Sequence, residues 1–213
     1  QNRLVDNPRI TYDANEHIHI VWDDATYETI GGSYTRNGEL KYTSNETGNW
    51  TTVTVFDEAA YRSRAHAIVA DSQNILHIGY SYNDEDNNDL IGYLKQTPNG
   101  WISTNVTTSG THSLLGFTID QNDDLHFVGI ESYASGWDRT ITHYTSNNGT
   151  FWNSSNMSLN MVLYASTLIA DSDNNLHLLS RQYVVNDSTS PPQYYNYLRH
   201  AIFNGTNWTS YLI

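Results

Sequence analysis

The 213-residue sequence contains no cysteine, only 4 proline residues and few basic residues. The absence of cysteine excludes a disulfide framework and any zinc or iron–sulfur site with cysteine ligands. No apolar run approaches the roughly 18 residues of a membrane-spanning helix, so the sequence predicts no membrane span. The 10 Lys and Arg residues are outnumbered by 23 Asp and Glu residues, and the formal net charge is −13. This charge argues against a nucleic-acid partner, whose phosphates repel an acidic surface.

Tyrosine and tryptophan are abundant, with 16 and 6 residues, while charged residues make up only 15% of the chain. A typical soluble domain has about 25% charged residues. The composition therefore indicates a β-rich protein with a polar, weakly charged surface rather than a disordered chain.

Four segments of the sequence share one pattern: an apolar strand ends in Asp, a short polar turn follows, and a second apolar strand carries a histidine. The histidines recur at intervals of 58, 49 and 51 residues, at His19, His77, His126 and His177. A second signature ends in tryptophan and recurs at intervals of 51, 51 and 56 residues, at Trp50, Trp101, Trp152 and Trp208. Two independent markers with the same period indicate four copies of one unit.

Each unit is predicted to hold four strands, A to D. The A–B turns are rich in Asp and Asn and the C–D turns in Asn and Gly, as tight hairpins require. Strands A and B are apolar at consecutive positions, so both of their faces must be covered. Strand C is aligned at Tyr42, Tyr93, Tyr144 and His200. The sequence therefore predicts an all-β fold, a four-bladed β-propeller with four antiparallel strands per blade.

The repeat borders divide the chain into an N-terminal extension, residues 1–7, and a propeller, residues 8–213. The blades are predicted to span residues 8–56, 64–108, 114–158 and 165–213. The extension is expected to lie on the last blade, to add a strand to a neighbouring molecule, or to be unstructured.

The C–D hairpins resemble the Asp-box of sialidase-like propellers, Ser-x-Asp-x-Gly-x-x-Trp. The segments Ser146–Trp152 and Ser44–Trp50 look like degenerate versions that are one residue short, with Asn148 or Glu46 in place of the Asp. The resemblance implies a shared fold. A sialidase would need three ordered arginines around the substrate carboxylate, and only Arg9 lies near an expected position, so the resemblance does not extend to that activity.

The B–C and D–A loops vary in length and open on one face of a propeller, where binding residues normally lie. We predict that this face binds a ligand or partner, because its aromatic side chains can stack on sugar rings or anchor a protein interface. The predicted residues of this face are Tyr27, Tyr61, Tyr133, Trp137, Asp138, Arg139, Tyr194 and Tyr195.

Nine Asn-x-Ser/Thr sequons indicate glycosylation of an exported protein, because most of them fall at the outer rim of a blade. They are Asn45, Asn49, Asn105, Asn148, Asn153, Asn156, Asn186, Asn204 and Asn207. The repeated histidines and tryptophans are predicted to be structural, each His bonding a neighbouring turn rather than a shared metal ion.

Two A–B turns match the opening of an oxygen-ligand calcium loop. Their candidate ligands are Asp120, Asn122, Asp124, Asp171 and Asp173. The glycine and distal glutamate of such a loop are missing, so turn formation is the alternative explanation. No other cofactor is expected.

From these features we expect a non-catalytic extracellular or cell-surface glycoprotein, without enzymatic activity. It would act as a structural or interaction module, as a subunit of a surface array or filament that self-assembles or binds other protein subunits. One alternative is a lectin-like propeller that binds glycans. A second alternative is a degenerate sialidase-like glycosidase.

Overall fold

The computed structural model describes residues 2–30, 33–57, 63–86, 88–132, 139–157, 163–186 and 193–213. All regular secondary structure in these ranges is β-strand, and the sixteen strands form four sheets of four strands each. Within the same ranges, no helix has the length and apolar character needed to cross a membrane.

The four sheets, called blades 1 to 4, follow one another along the chain. Blade 1 contains β1 (Asn2–Tyr12), β2 (Ile18–Ile30), β3 (Ser33–Ser44) and β4 (Thr51–Asp57). Blade 2 contains β5 (Ser63–Ala70), β6 (Leu76–Asn83), β7 (Asp89–Thr97) and β8 (Gly100–Asn105). Blade 3 contains β9 (His112–Ile119), β10 (Leu125–Ser132), β11 (Arg139–Ser146) and β12 (Asn153–Met157). Blade 4 contains β13 (Leu163–Ala170), β14 (Leu176–Asn186), β15 (Gln193–Phe203) and β16 (Trp208–Leu212).

Within each blade, consecutive strands pair antiparallel, as hairpin connections require. This architecture confirms the predicted fold class, a β-propeller of four blades with four antiparallel strands each. Of the residues predicted to form an N-terminal extension, residues 2–7 lie in β1, which pairs with β2 as far as Asn2 opposite Tyr27, and residue 1 lies outside the described residues. The long first strand thus carries residues 2–7 within blade 1.

The apolar core lies between the blades rather than inside any one of them. Val21 of blade 1 and Ile68 of blade 2 belong to one buried cluster, and Phe117 of blade 3 packs in a second cluster with Ile91 of blade 2. A third cluster joins blade 3 to Leu168 of blade 4. Strands covered on both faces account for the consecutive apolar residues of the A and B segments.

The first strand of each blade contains a β-bulge, an extra residue that the partner strand does not match. In β5 the register shifts between Ala65 and Ala67, so His66 is the extra residue. In β9 and β13 the extra residues are Leu115 and Ala165. A bulge bends its strand and redirects the side chain of the extra residue.

An aspartate organises the A–B turn of each blade, and in blades 2 and 4 it also bonds the repeated histidine. In blade 2, Asp71 Oδ1 accepts the backbone N–H groups of Gln73 and Ile75 at 2.9 and 2.7 Å. Asp71 Oδ2 lies 3.0 Å from His77 Nε2. The equivalent distance in blade 4, from His177 to Asp171, is 2.9 Å. In blades 1 and 3 the corresponding atoms are 3.5 and 3.6 Å apart.

The other nitrogen of each repeated histidine faces strand C. His19 and His77 place Nδ1 2.7 and 2.6 Å from the hydroxyls of Tyr42 and Tyr93. In blade 3 this partner is His143, at 3.2 Å from His126 Nδ1. The sequence alignment of strand C at Tyr144 is therefore wrong by one residue. The tandem Thr-His-Tyr-Thr segment offers two candidate rings, and the blade uses the first.

Three of the four repeated tryptophans pack on strand C of the preceding blade. Trp101 meets the ring of Tyr42 edge-on with centroids 5.2 Å apart, and Trp152 meets Tyr93 at 5.5 Å. Trp208 meets His143 at 5.5 Å in the same way. The tryptophan marker of the sequence repeat thus lies at the junction between blades.

His143 gives the fold a pH dependence that a single substitution should weaken. Burial, assisted by the neighbouring His126, lowers the pKa of His143 to about 3. The unfolded chain takes up a proton below about pH 6.5 whereas the folded protein stays neutral, so stability should fall as pH drops from 6.5 toward 3. His143→Tyr, which copies Tyr42 and Tyr93, should make this decline shallower.

Thermal unfolding across that pH range, compared between the natural protein and the variant, measures the effect. The groove beside His143 has a volume of about 540 Å³, which leaves room for the larger ring. Identical slopes of melting temperature against pH would contradict the role given to His143.

Candidate functional site

A cavity of about 280 Å³ opens where blades 2 and 3 meet, at the end of the blades that carries the B–C and D–A loops. It lies on the face predicted from the variable loops. Its described lining residues are Arg64, His66, Ser81, Tyr82, Asn83, Asp89, His112, Ser113 and Leu114.

The bulge in β5 places His66 in this cavity, and blade 1 holds the bulge in place. The Ala65 N–H donates to Asp23 Oδ1 at 2.7 Å, and the Asp23 carboxylate is fully buried. Arg9 Nε donates to the carbonyl oxygen of His66 at 2.7 Å. Two side chains of blade 1 therefore fix the backbone on both sides of the cavity imidazole.

His66 is a neutral imidazole near a guanidinium group. Its Nε2 lies 2.9 Å from the hydroxyl oxygen of Ser81. Burial, followed by the positive charges of Arg9 and Arg64, lowers the pKa of His66 to about 4. At neutral pH the ring therefore keeps an unprotonated nitrogen that can accept a proton.

His112 enters the cavity from the first strand of blade 3. Its Nε2 lies 2.8 Å from the carbonyl oxygen of Ser109, and because a carbonyl only accepts, Nε2 carries the proton. The lone pair then lies on Nδ1, which is buried and has no hydrogen-bond partner within the described structure. An unpaired acceptor of this kind is costly unless a ligand satisfies it.

Most of the remaining lining residues are polar, and two of them donate hydrogen bonds of their own. Asn83 Nδ2 donates to Asp89 Oδ1 at 2.5 Å. The Tyr82 hydroxyl donates to Asn105 Oδ1 at 2.8 Å. Arg64 is exposed at the cavity mouth, where its charge can meet an anionic ligand. The site thus combines one cation, two imidazoles and a single carboxylate among the lining residues that the structure describes.

The cavity-lining residues that the structure describes include none of those predicted for the ligand face. Tyr61, Tyr133, Trp137 and Asp138 lie outside the described residues, so their part in a site stays a prediction. The backbones of Tyr27, Arg139 and Tyr194 lie in β2, β11 and β15. Tyr195 is exposed in blade 4 and its ring stacks on Tyr197 with centroids 6.2 Å apart.

The cavity lies on the face that the sequence predicts for binding, but sequence reasoning missed Arg64, His66 and His112. The usable signal was the Arg-x-His pair directly after the D–A loop of blade 2, with a second histidine at the same point of blade 3. The bulge that turns His66 into the cavity cannot be recognised from the hydrophobic pattern. The sequence analysis therefore favoured the aromatic residues of the loops.

Several sequon asparagines already serve turns. Asn45 Oδ1 accepts the Ile18 N–H at 2.7 Å, and Asn105 Oδ1 accepts the Tyr82 hydroxyl. Asn148 and Asn204 accept backbone N–H groups of their own C–D turns. Asn49, Asn153, Asn156 and Asn207 are exposed, and Asn186 lies in β14. Glycosylation of these residues stays a prediction.

The proposed calcium loops are A–B turns closed by their own backbone. Asp120 Oδ1 accepts the N–H groups of Asn122 and Asp124, both at 2.9 Å. Asp171 Oδ1 does the same for Asp173 at 2.9 Å. Among the residues with described positions, no three His, Asp or Glu side chains are grouped to hold a metal ion.

The sequence matches no protein-family model and no curated protein. Solved structures share the fold. An ulvan lyase of a polysaccharide lyase family, bound to -[GlcA(1-4)Rha3S]-, superposes with a TM-score of 0.67 at 10% identity, over 98% of this chain and 53% of that one. The GH93 α-L-arabinofuranosidase of Fusarium graminearum, bound to arabinobiose, gives 0.63 at 10% identity, over 98% and 66%. The Hadza microbial sialidase Hz136 gives 0.59 at 12% identity, over 99% and 45%.

This chain spans about half the length of the ulvan lyase chain. At these identities the likeness shows the fold alone, and it supports the sialidase-like resemblance of the C–D hairpins at that level. The prediction that the protein lacks enzymatic activity is wrong as an inference from its architecture. The similar folds are those of a lyase, a sialidase and a glycosidase, all enzymes of carbohydrates.

Proposed function

We propose that the protein cleaves an acidic polysaccharide by β-elimination at a uronate residue, in the cavity between blades 2 and 3. The observation that carries the proposal is the pairing of Arg64 with the neutral imidazole of His66 in one cavity. The fold shared with an ulvan lyase supports the same class of substrate.

β-Elimination requires a cation beside the substrate carboxylate and a base beside C5, the carbon that carries this carboxylate. Arg64 would neutralise the uronate carboxylate, which makes the proton on C5 more acidic. His66 would take that proton, and the C5–H electrons would form the C4=C5 double bond as the C4–O4 bond breaks. The proton now on the imidazole passes to the departing O4, so a single residue accounts for both proton transfers.

Substrate binding should strengthen this base. In the free protein burial, followed by the charges of Arg9 and Arg64, lowers the pKa of His66 to about 4. A bound carboxylate offsets the charge of Arg64, so the pKa of His66 should rise toward its ordinary value of about 6.5. The imidazole then becomes a better proton acceptor in the complex than in the free protein.

Glycoside hydrolysis fits the cavity less well. Hydrolases of this kind normally place two carboxyl groups on either side of the scissile bond. Asp89 is the one carboxylate in the described lining, and its Oδ1 is already bonded by Asn83. Elimination needs no second carboxylate, so the same residues satisfy it.

A substrate of this class accords with the glycan partner and extracellular location expected from the sequence. Polysaccharides of uronate and other sugars are met outside cells, and the exposed sequons would suit an exported protein. Glycan recognition, the lectin-like alternative, is then the binding step of an enzyme.

The experiment is incubation of the protein with a polymer of -[GlcA(1-4)Rha3S]- units. Elimination creates a conjugated C4=C5 uronate that absorbs ultraviolet light, whereas hydrolysis creates new reducing ends without that absorbance. We expect the absorbance to rise with the natural polymer and not with one whose carboxylates are reduced to alcohols.

Arg64→Ala should strongly reduce the rate of the absorbance change, and Arg181→Ala, at an exposed arginine of blade 4, is the matched control. Reducing ends formed without absorbance, or no cleavage of any uronate polymer, would contradict the proposed reaction.

A further inference from the structure

The outer blades expose large apolar side chains where the inner blades bury them. In blade 1, Ile10 is 67% exposed and Tyr12 is 73% exposed. In blade 4, Ile169 is 56% exposed. Across the described residues, blades 2 and 3 contribute only Ile102 and Phe151 to the large apolar side chains at the surface. The remaining exposed apolar residues are Leu4, Val5, Trp50, Val53, Leu179, Tyr195, Tyr197, Leu198, Tyr211, Leu212 and Ile213.

Consecutive blades are joined by a repeated apolar contact. In blades 2, 3 and 4, an apolar A-strand residue is buried together with the B strand of the preceding blade. Ile68 shares a buried cluster with Val21, Phe117 lies against Gly79, and Leu168 shares a buried cluster with Val128. By the sequence repeat, the fourth A-strand residue is Ile10 and the fourth B-strand position is Leu179, which is 37% exposed. These two residues lie on the opposite outer faces of the chain.

A repeated hydrogen bond joins the A–B turns of consecutive blades in the same way. A backbone N–H beside the turn aspartate donates to a side-chain oxygen of the next blade at 2.8 or 2.9 Å. The bonds run from Ala14 to Asn74, from Ser72 to Asp123 and from Gln121 to Asn174. The fourth donor by position is Ser172, and the fourth acceptor is Glu16. Glu16 has the same left-handed backbone as the other acceptors, with φ of 65°.

The tryptophan contacts give a third incomplete series. Trp101, Trp152 and Trp208 each pack on strand C of the preceding blade. Trp50 is the fourth member and is 55% exposed. Its counterpart by position is His200, on strand C of blade 4.

We propose that the outer face of blade 4 binds the outer face of blade 1 of a second copy, head to tail, with Leu179 of one copy against Ile10 of the other. In each of the three contact series, one half of the contact is exposed on blade 1 and the complementary half on blade 4. Blade 4 of one copy therefore matches blade 1 of another copy. Two such contacts close a ring of eight blades, within the range of about 4–8 for propellers. This chain covers 53% of the ulvan lyase chain, so the rest of that protein is about as long as one further copy of this chain.

The test is sedimentation velocity over a range of protein concentrations. We expect the natural protein to form a species of twice the 24.2 kDa chain mass. Ile10→Glu and Leu179→Glu each remove one half of the contact and should each give monomers. Mixing the two variants should restore association, because each retains the face that the other lacks. Ile102→Glu, at an exposed apolar residue of blade 2, is the control and should still form the dimer.

The outcomes separate this arrangement from others. Monomers of the natural protein at every concentration would overturn the proposal, as expected if blades of another chain cover these faces. Dimers that survive Leu179→Glu but not Ile10→Glu would indicate identical faces in contact and would also overturn it. Exposed residues tolerate substitution with small stability changes, and matching melting temperatures of all variants establish that folding is unaffected.

Discussion

His66→Gln is expected to lower the rate of polysaccharide elimination by about 10²- to 10⁴-fold, the usual contribution of a general base. The imidazole sits on the extra residue of the β5 bulge and keeps an unprotonated nitrogen at neutral pH. The amide of glutamine retains a hydrogen bond to Ser81 but cannot take a proton from carbon. The loss should therefore appear in kcat, with a smaller change in KM.

The pH profile distinguishes a base from a residue that only supports the cavity. A base acts in its unprotonated form, so kcat/KM of the natural protein should fall as pH drops through about 4, the pKa of His66 in the free protein. The acid limb of kcat should lie at higher pH, because bound carboxylate offsets the charge of Arg64. Arg64→Lys keeps a positive charge. Arg64→Ala removes it, which should move the acid limb of any residual kcat/KM to higher pH.

His17→Gln is the matched control, because His17 lies in the A–B turn of blade 1 and bonds Asp13 at 3.0 Å, away from the cavity. Its activity and pH profile should match those of the natural protein. Activity of His66→Gln within a few-fold of natural, or an acid limb that stays in place in both Arg64 variants, would contradict the assignment of His66 as the base.

The repeat and its turns could be predicted because they are local chemistry. Each Asp in the A–B turn caps two backbone N–H groups and faces the histidine six residues later, which it bonds in blades 2 and 4, so the pattern is fixed within one hairpin. The alternation of apolar strands with Asp- and Asn-rich turns set the number of strands and blades.

The cavity could not be predicted because its residues meet across two blades. His66 and His112 belong to different blades, and a bulge that no residue pattern announces turns the first into the cavity. The choice of His143 over Tyr144 failed for a related reason. One residue of register decides which ring faces His126, and both candidates are aromatic.

The contacts between blades also decide how stability is distributed, and Phe117 lies at the centre of one of them. Its ring stacks on Phe127 with centroids 4.3 Å apart, and its side chain fills the space that the absence of a Cβ at Gly79 leaves open. Only 2% of the residue is exposed. The ring of Phe117 is therefore part of the contact between blades 2 and 3, and its removal would leave an unfilled space beside Gly79.

Phe117→Ala should reduce the free energy of unfolding by about 3–5 kcal/mol, because the transfer energy of the ring is lost and a cavity remains between the blades. Denaturant unfolding measures the change. Phe151→Ala is the matched control, since Phe151 is 79% exposed and should shift stability by less than about 0.5 kcal/mol. The cavity beside His66 is built from the same two blades, so Phe117→Ala should also lower the rate of polysaccharide elimination. Equal effects of the two substitutions would mean that the blades are not held together through strand A of one packing on strand B of the other.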